Sequence, residues 1–262
     1  MKTLLTFLVL LISGELYSQK ISNEAMIFND LPEKIKDLKR TSLSIESSDM
    51  NFKKFNTIGS GFLVIKNDIH YAISNFHVTK NLTKNQILLI GMNLDQKKQY
   101  AVIDTTYTDE KHDIIVMKLG STFSLKNNIK VDSTLFEPSA VGISMFETND
   151  NIVEGTGIIL IGYPLGLGTD LVGNQPISRI GIIAQKPNEN TNTFFIDGIA
   201  SHGNSGSPVF NAQNKKLVGM ISSYPSDFIT AFDENGQLVA RLPYNSGLSL
   251  CITAEMINKI IP

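Results

Sequence analysis

Apolar positions along this chain recur mostly with a period of two or in short unbroken runs. That is the pattern of strands buried on one face or on both. Six such runs lie in the first half: Thr41–Glu46, Ser60–Lys66, Ile69–Ser74, Gln86–Met92, Gln99–Thr106 and Asp113–Leu119. Asn67-Asp68, between the second and third, is a two-residue hairpin connection. A polar stretch, Ser121–Ser133, interrupts the series, and a second one follows: Gly157–Tyr163, Ile177–Gln185, Thr193–Asp197, Pro208–Phe210, Lys216–Ser223 and Leu248–Thr253. The chain closes on Ala254–Ile260, one or two turns of amphipathic helix. Strands and helices do not alternate, which argues against a parallel α/β sheet. The expected fold is therefore all-β: two six-stranded antiparallel β-barrels, residues 41–130 and 131–262, with a short C-terminal helix and a linker near residues 121–140. Ser22–Lys39, with Pro32 inside it, reads as a short helical lead-in within residues 19–40.

The first residues follow another logic. Lys2, the apolar run Leu4–Ile12 and a short tail to Gln19 form a secretory signal peptide, residues 1–18, with cleavage near Ser18. The run is too short to cross a bilayer and no Cys follows it, so the mature chain is expected to be secreted or periplasmic. Past it, no apolar run approaches the roughly 20 residues of a membrane span. A net charge of −2 gives no basic stripe for nucleic acid, and 42% hydrophobic against 18% charged residues excludes a disordered chain. Cys251 is alone, so no intramolecular disulfide can form and stability must come from the core. His112 beside Asp113 has no other His or Cys at ligand spacing; neither a metal nor another cofactor is expected.

The strongest chemical signal is Gly203-Asn204-Ser205-Gly206-Ser207-Pro208, just before an apolar strand. A serine in a glycine-rich tight turn exposes its hydroxyl and leaves neighbouring backbone N–H groups free to meet a developing oxyanion. On its own this could equally be a plain Gly/Ser/Asn turn. A nucleophilic serine needs a base, and the base needs an orienting group. Of four histidines, His77 follows the strand Tyr71–Ser74 directly, and Asp113 opens the strand Asp113–Leu119. His77 alone would read as a packed histidine, and Asp113 alone as a strand-end turn residue. Together the three occur in the order His, Asp, Ser.

These segments resemble the chymotrypsin-fold serine proteases, and among them the HtrA-type, disulfide-free bacterial branch. Gly59-Ser60-Gly61-Phe62-Leu63-Val64 is similar to that branch's first hairpin, Asn75-Phe76-His77-Val78 to its histidine motif, and Asp113–Leu119 to its aspartate strand. Gly203–Pro208 resembles its nucleophile loop, with further agreement in Ile161–Gly166 and Leu217–Ser222. The resemblance implies a secreted serine endopeptidase on two chymotrypsin-like barrels, hydrolysing peptide bonds of protein or peptide substrates through an acyl-enzyme. It makes Ser205 the nucleophile, His77 the general base and Asp113 its orienter, and the N–H groups of Gly203 and Ser205 the oxyanion hole.

The chain departs from the pattern in places. Asn204 stands where trypsin-type zymogens carry an aspartate that pairs with a freed amine, so activation by N-terminal insertion is not expected. Ser207 replaces a usual glycine and is a competing hydroxyl. No C-terminal PDZ domain is expected before Pro262. Ile199, Ala200, Ser201 and His202 should line the primary pocket opposite Ser222, Ser223 and Tyr224. No carboxylate stands at its base, which favours small or medium apolar residues at the cleavage site. His202 is either a contact for an acidic side chain or a solvent-facing loop residue. The competing functional reading is a catalytically idle member of the fold that binds peptides or proteins through the same cleft. Oligomeric state is left open.

Overall fold

The computed structural model describes residues 30–48, 55–92, 97–126, 129–133, 136–166 and 175–262. The expected signal peptide, residues 1–18, and the expected lead-in up to residue 29 lie outside them. The described chain begins in helix α1, residues 30–39, with Pro32 in its first turn, where a missing N–H costs nothing.

Six strands close the first barrel: β1 (Ser42–Ser48), β2 (Phe55–Lys66), β3 (Ile69–Ser74), β4 (Ile87–Met92), β5 (Lys98–Asp109) and β6 (Ile114–Lys126). Their order is β1-β4-β5-β6-β3-β2, and β1 pairs with β2 to shut the ring. The β2–β3 turn has Asn67 and Asp68 at φ 51° and 62°, the left-handed pair that a two-residue hairpin demands. Residues 121–133, expected as a polar interruption, instead carry the ladder on: β6 runs to Lys126 and β7 (Ile129–Ser133) pairs back on it. β8 (Val141–Gly142) lies parallel to β2.

The second barrel is built from β9 (Gly157–Gly162), β10 (Ile177–Asn188), β11 (Thr193–Asp197), β12 (Pro208–Asn211), β13 (Leu217–Ser223) and β16 (Leu248–Thr253), closed in the order β10-β11-β16-β13-β12-β9. All twelve expected runs are barrel strands. Between β13 and β16 stands a hairpin not anticipated from the sequence, β14 (Ser226–Phe232) with β15 (Leu238–Asn245), outside the barrel. Helix α3 (Ala254–Ile260) ends the chain; the Thr253 hydroxyl accepts from Met256 N–H at 3.3 Å and caps it.

The unbroken apolar runs have a structural reason. In β2, Phe62 and Val64 face the partner barrel while Leu63 points inside its own; in β6, Ile114 and Val116 face outward and Ile115 and Met117 inward. β9 does the same, with Ile159 and Ile161 against Ile158 and Leu160. Both faces of these strands are buried, so polar alternation disappears. The largest core cluster is the layer between the barrels, which also takes Leu31 and Leu38 of α1 and Ala254, Met256 and Ile257 of α3. The strand ends that open onto this layer carry the candidate chemistry.

Candidate functional site

His77 sits in α2 (Phe76–Thr79), a single turn started by Asn75 directly after β3. Asp113 precedes β6 in a left-handed conformation, φ 58°, held by its N–H to Glu110 O. The two loops are tied through backbone: Asp113 O accepts from Phe76 N–H at 3.2 Å and from the Asn75 amide at 3.1 Å. The carboxylate is then bonded on three sides. Oδ1 takes the His77 backbone N–H at 2.9 Å, Oδ2 takes the His77 ring Nδ1 at 2.8 Å, and the Ser222 hydroxyl reaches Oδ2 at 3.0 Å. Burial opposes ionisation of Asp113, but these donors outweigh it and hold its pKa below the ordinary carboxylate value. With Nδ1 engaged, the other ring nitrogen, Nε2, is left for the cleft.

Ser205 opens into that cleft from the turn before β12. Three successive peptides around it share one arrangement. His202 O accepts from Leu165 N–H at 2.6 Å, Gly203 O from the Ser60 hydroxyl at 2.6 Å, and Asn204 O from Ser207 N–H at 2.8 Å. Asn204 N–H is itself spent on Ser201 O at 2.9 Å. The N–H groups of Gly203 and Ser205 meet no partner among the described residues. A planar peptide whose carbonyl is held on one side must direct its N–H to the other. Gly203 is at φ +89°, and a Cβ there would stand 2.5 Å from Tyr163 O. The glycine is thus required by its own backbone and by the Tyr163–Leu165 turn behind it, beyond any need to clear a path for substrate.

The side chains at the two departures from the family pattern lie inside the loop. Asn204 is 1% exposed; its Oδ1 accepts from Ser201 N–H at 3.1 Å and its amide donates to the Ser207 hydroxyl at 3.3 Å. Ser207 is fully buried, and its Oγ occupies space that Gly162 leaves free: a Cβ at Gly162 would fall 1.9 Å from it. Ser205, by contrast, lines the cleft. Its Oγ donates to Ser222 O at 3.4 Å, a long bond, and not to His77.

The cleft has a volume of about 480 Å³ and holds His77, Gly203 and Ser205 together with Ala200, Ser201, His202, Ser222, Ser223 and Tyr224. Ile199 is not among its lining residues; it is 56% exposed, and its carbonyl is taken by the Arg179 guanidinium. Sequence reasoning missed Thr57, Ile58, Leu165, Gly166, Ile221 and Ser226 on the walls. Leu165 and Gly166 belong to the Ile161–Gly166 stretch already noted, and their positive φ values, 54° and 68°, fold that turn back to the cleft rim. The rim also carries His202, whose Nε2 lies 3.3 Å from Tyr224 Oη. None of the described lining residues is an Asp, Glu, Lys or Arg. Cys251 is buried within the second barrel, where desolvation pushes its thiol pKa up. His112 is paired with Asp109 at 2.7 Å, away from the cleft lining.

Comparison with known proteins bears on the family and the fold. The trypsin-like peptidase domain family matches residues 59–220, a stretch that runs from the first-barrel hairpin past the Gly203–Pro208 loop. A probable serine protease do-like of Buchnera aphidicola subsp. Acyrthosiphon pisum is 28% identical over 213 residues, 81% of this chain and 36% of the relative. A probable periplasmic serine endoprotease DegP-like of Buchnera aphidicola subsp. Schizaphis graminum is 28% identical over 214 residues, 82% and 37% respectively. The chain thus spans about a third of the length of these curated relatives. Among solved structures, the HtrA-type protease AlgW with tripeptide shares the fold at TM-score 0.56 and 19% identity, over 87% of this chain and 61% of that one. The serine endoprotease from Yersinia pestis does so at 0.53 and 17%, over 87% and 64%. With its match across more than half of its length, the chain belongs to the trypsin-like peptidase domain family.

Proposed function

We propose that the protein is a secreted or periplasmic serine endopeptidase working through Ser205, His77 and Asp113. The observation that carries this reading is the disposition of the nucleophile loop: every carbonyl from His202 to Asn204 is bonded, while the Gly203 and Ser205 N–H groups stay open beside the serine. In the proposed reaction the Ser205 hydroxyl leaves Ser222 O, turns toward His77 Nε2 and attacks the scissile carbonyl carbon. Its proton passes to Nε2, and the carbonyl π pair becomes an oxyanion received by the two open N–H groups. Asp113 keeps the imidazole in the tautomer with Nδ1–H and stabilises the imidazolium. His77 then gives the proton to the departing amine, leaving an acyl-enzyme that water hydrolyses by the same steps.

A pocket walled by Ala200, Ser201, Ser222 and Ser223, with no Asp, Glu, Lys or Arg among its described lining residues, fits a small or medium apolar side chain. A peptide-library profile dominated by Arg, Lys or Glu would contradict that preference. The mechanism is tested by fluorophosphonate labelling of the mature protein beside Ser205→Ala, with the modified residue mapped by mass spectrometry. Labelling at Ser205 that vanishes in the variant is the expected result. Absence of labelling across pH 6 to 9 in folded protein would overturn the hydrolytic reading in favour of an idle binding cleft.

A further inference from the structure

Ser60 lies on β2 of the first barrel, in none of the roles above, and is fully buried. Every polar atom it owns is spent on holding the second half of the molecule or the neighbouring strand β3. Its backbone N–H donates to Ser205 O at 2.9 Å, its hydroxyl donates to Gly203 O at 2.6 Å, and the same oxygen accepts from Tyr163 N–H at 2.8 Å. Its own carbonyl is held by the Ser74 hydroxyl at 2.7 Å. The hydroxyl therefore joins three segments: the first-barrel strand, the Tyr163–Leu165 turn that clamps His202 O, and the nucleophile loop.

The joint it controls is a vulnerable one. Gly203, with no Cβ, is the residue about which the loop rotates most freely. Its two flanking peptides are each fixed through a carbonyl, one by Leu165 N–H and one by Ser60 Oγ. If Gly203 O is released, the Gly203–Asn204 peptide is left with only its N–H bond to Ser201 O, within the same loop, and can shift with that turn about the glycine ψ. The separation and relative direction of the Gly203 and Ser205 N–H groups then change.

We infer that the Ser60 hydroxyl is a positioning residue that holds the nucleophile loop in its oxyanion-receiving form from across the barrel interface, in place of the ion pair that Asn204 cannot make. The inference rests on the hydrolytic reading proposed above. It also implies that the loop is set when the two barrels pack, with no cleavage step needed to order it.

The test uses the full chain with Ser60→Ala and Ser60→Cys, the latter keeping a weaker donor and acceptor. An N-acylated Ala-Ala-Ala p-nitroanilide serves as substrate. The matching peptidyl trifluoromethyl ketone, to which Ser205 Oγ would add with loss of its proton to His77, forms an oxyanion in the hole; the alcohol made by reducing it does not. For Ser60→Ala, kcat and the affinity for the ketone should fall together by about 10- to 100-fold, while KM and the affinity for the alcohol move less than about threefold. Ser60→Cys should fall between the two, and in the 19F spectrum the ketone adduct of either variant should ionise at higher pH than that of the wild type. Equal losses for ketone and alcohol, or none for the ketone, overturn the inference; Ser60→Cys supplies the same comparison should Ser60→Ala not fold. A wild-type chain that forms no ketone adduct overturns the hydrolytic reading and this inference with it, whereas a reactive wild type without the split overturns this inference alone.

Discussion

Two segments of the second half of the chain lie beside the cleft and outside the barrel ladders, and they are held in opposite ways. The nucleophile loop, residues 201–207, makes bonds within itself but is also clamped by other elements: Ser60 of the first barrel, Leu165 of the turn after β9, and Ile221 of β13, whose carbonyl holds Gly206 N–H. The β14–β15 hairpin takes nearly all of its bonds from itself. Asp227 pairs with Tyr244 at 2.7 Å, Arg241 stacks over Phe228 at 4.1 Å, and Asp233 caps its turn through Asn235 and Gln237. Only its base is tied down, where the Asn245 amide reaches Ala200 O. A segment becomes rigid when its partners belong to other rigid elements. A self-bonded hairpin of two strands has only itself to lean on. Preorganised chemistry belongs on the first kind of segment, and the largest effects of substitution should cluster there.

Asp113→Asn should give the largest loss among residues around that loop short of removing the serine itself. The amide can still accept the His77 backbone N–H, so the fold should persist. It would also pair with the wrong imidazole tautomer and stabilise no imidazolium. A drop in kcat on the order of 10⁴ is expected, with the melting temperature little changed. Gly203→Ala comes next. The new Cβ meets Tyr163 O at 2.5 Å, so the backbone must shift at the residue whose N–H is needed. Steady-state kinetics should show kcat down by about 10² to 10³ with KM nearly constant. A loss of KM alone in either variant would mean that the clamped loop serves binding and not the reaction.

The contrast between the segments also separates what was legible in the sequence from what was not. Barrel strands announce themselves because burial on one or both faces constrains every position, and Ala254–Ile260 because its apolar stripe packs between the barrels. The residues proposed as a triad were legible as motifs at strand ends. The hydrogen bonds that give the loop its form were not, because those of Ser60, Leu165 and Asn204 end mostly on backbone carbonyls and N–H groups that no residue pattern records. The hairpin was missed for another reason: it buries neither face, so its alternation points to no core. Asn235-Gly236 between Phe228–Phe232 and Leu238–Leu242 was nevertheless a usable turn signal. Ile199 was placed on the pocket wall by proximity in sequence alone, and the turn of the chain at Gly198 leaves it facing outward.

A middle case is Glu147, in the segment that passes from one barrel to the other. It is 3% exposed and accepts from Asn151 at 2.9 Å, Asn214 at 3.2 Å and Lys216 at 3.3 Å, while its backbone N–H donates to Leu217 O. Burial pushes its pKa up, but these donors win and hold it below the ordinary 4.5. A depressed carboxylate pKa means that stability is present above the unfolded value and is lost as pH falls through the folded one. Glu147→Gln should cost about 1–3 kcal/mol at neutral pH by denaturant titration. The difference from wild type should shrink below about pH 4.5 as the carboxylate is protonated. A gap that stays constant from pH 7 to 3 would show that shape, and not charge, anchors the segment.

The smallest effect should come from the other side of the comparison. Replacing residues 228–242 by a short Gly-Ser turn removes Phe228, Ile229, Phe232, Leu238, Val239 and Leu242, all 43–67% exposed, and leaves the Asn245 anchor in place. Side chains that are already in solvent contribute little burial to folding, so stability should change by about 1 kcal/mol or less. Hydrolysis of a tripeptide anilide should stay within about threefold, because Tyr224 and Ser226, the cleft-lining residues at the hairpin's base, are retained. The same excision applied to a loop that borrows its partners would be ruinous, which is what makes the pair of measurements decisive. A hairpin deletion that lowers the melting temperature by ten degrees, or abolishes turnover of the short substrate, would mean that β14 and β15 help to hold the cleft walls. The distinction between a self-bonded segment and a clamped one would then fail for this molecule.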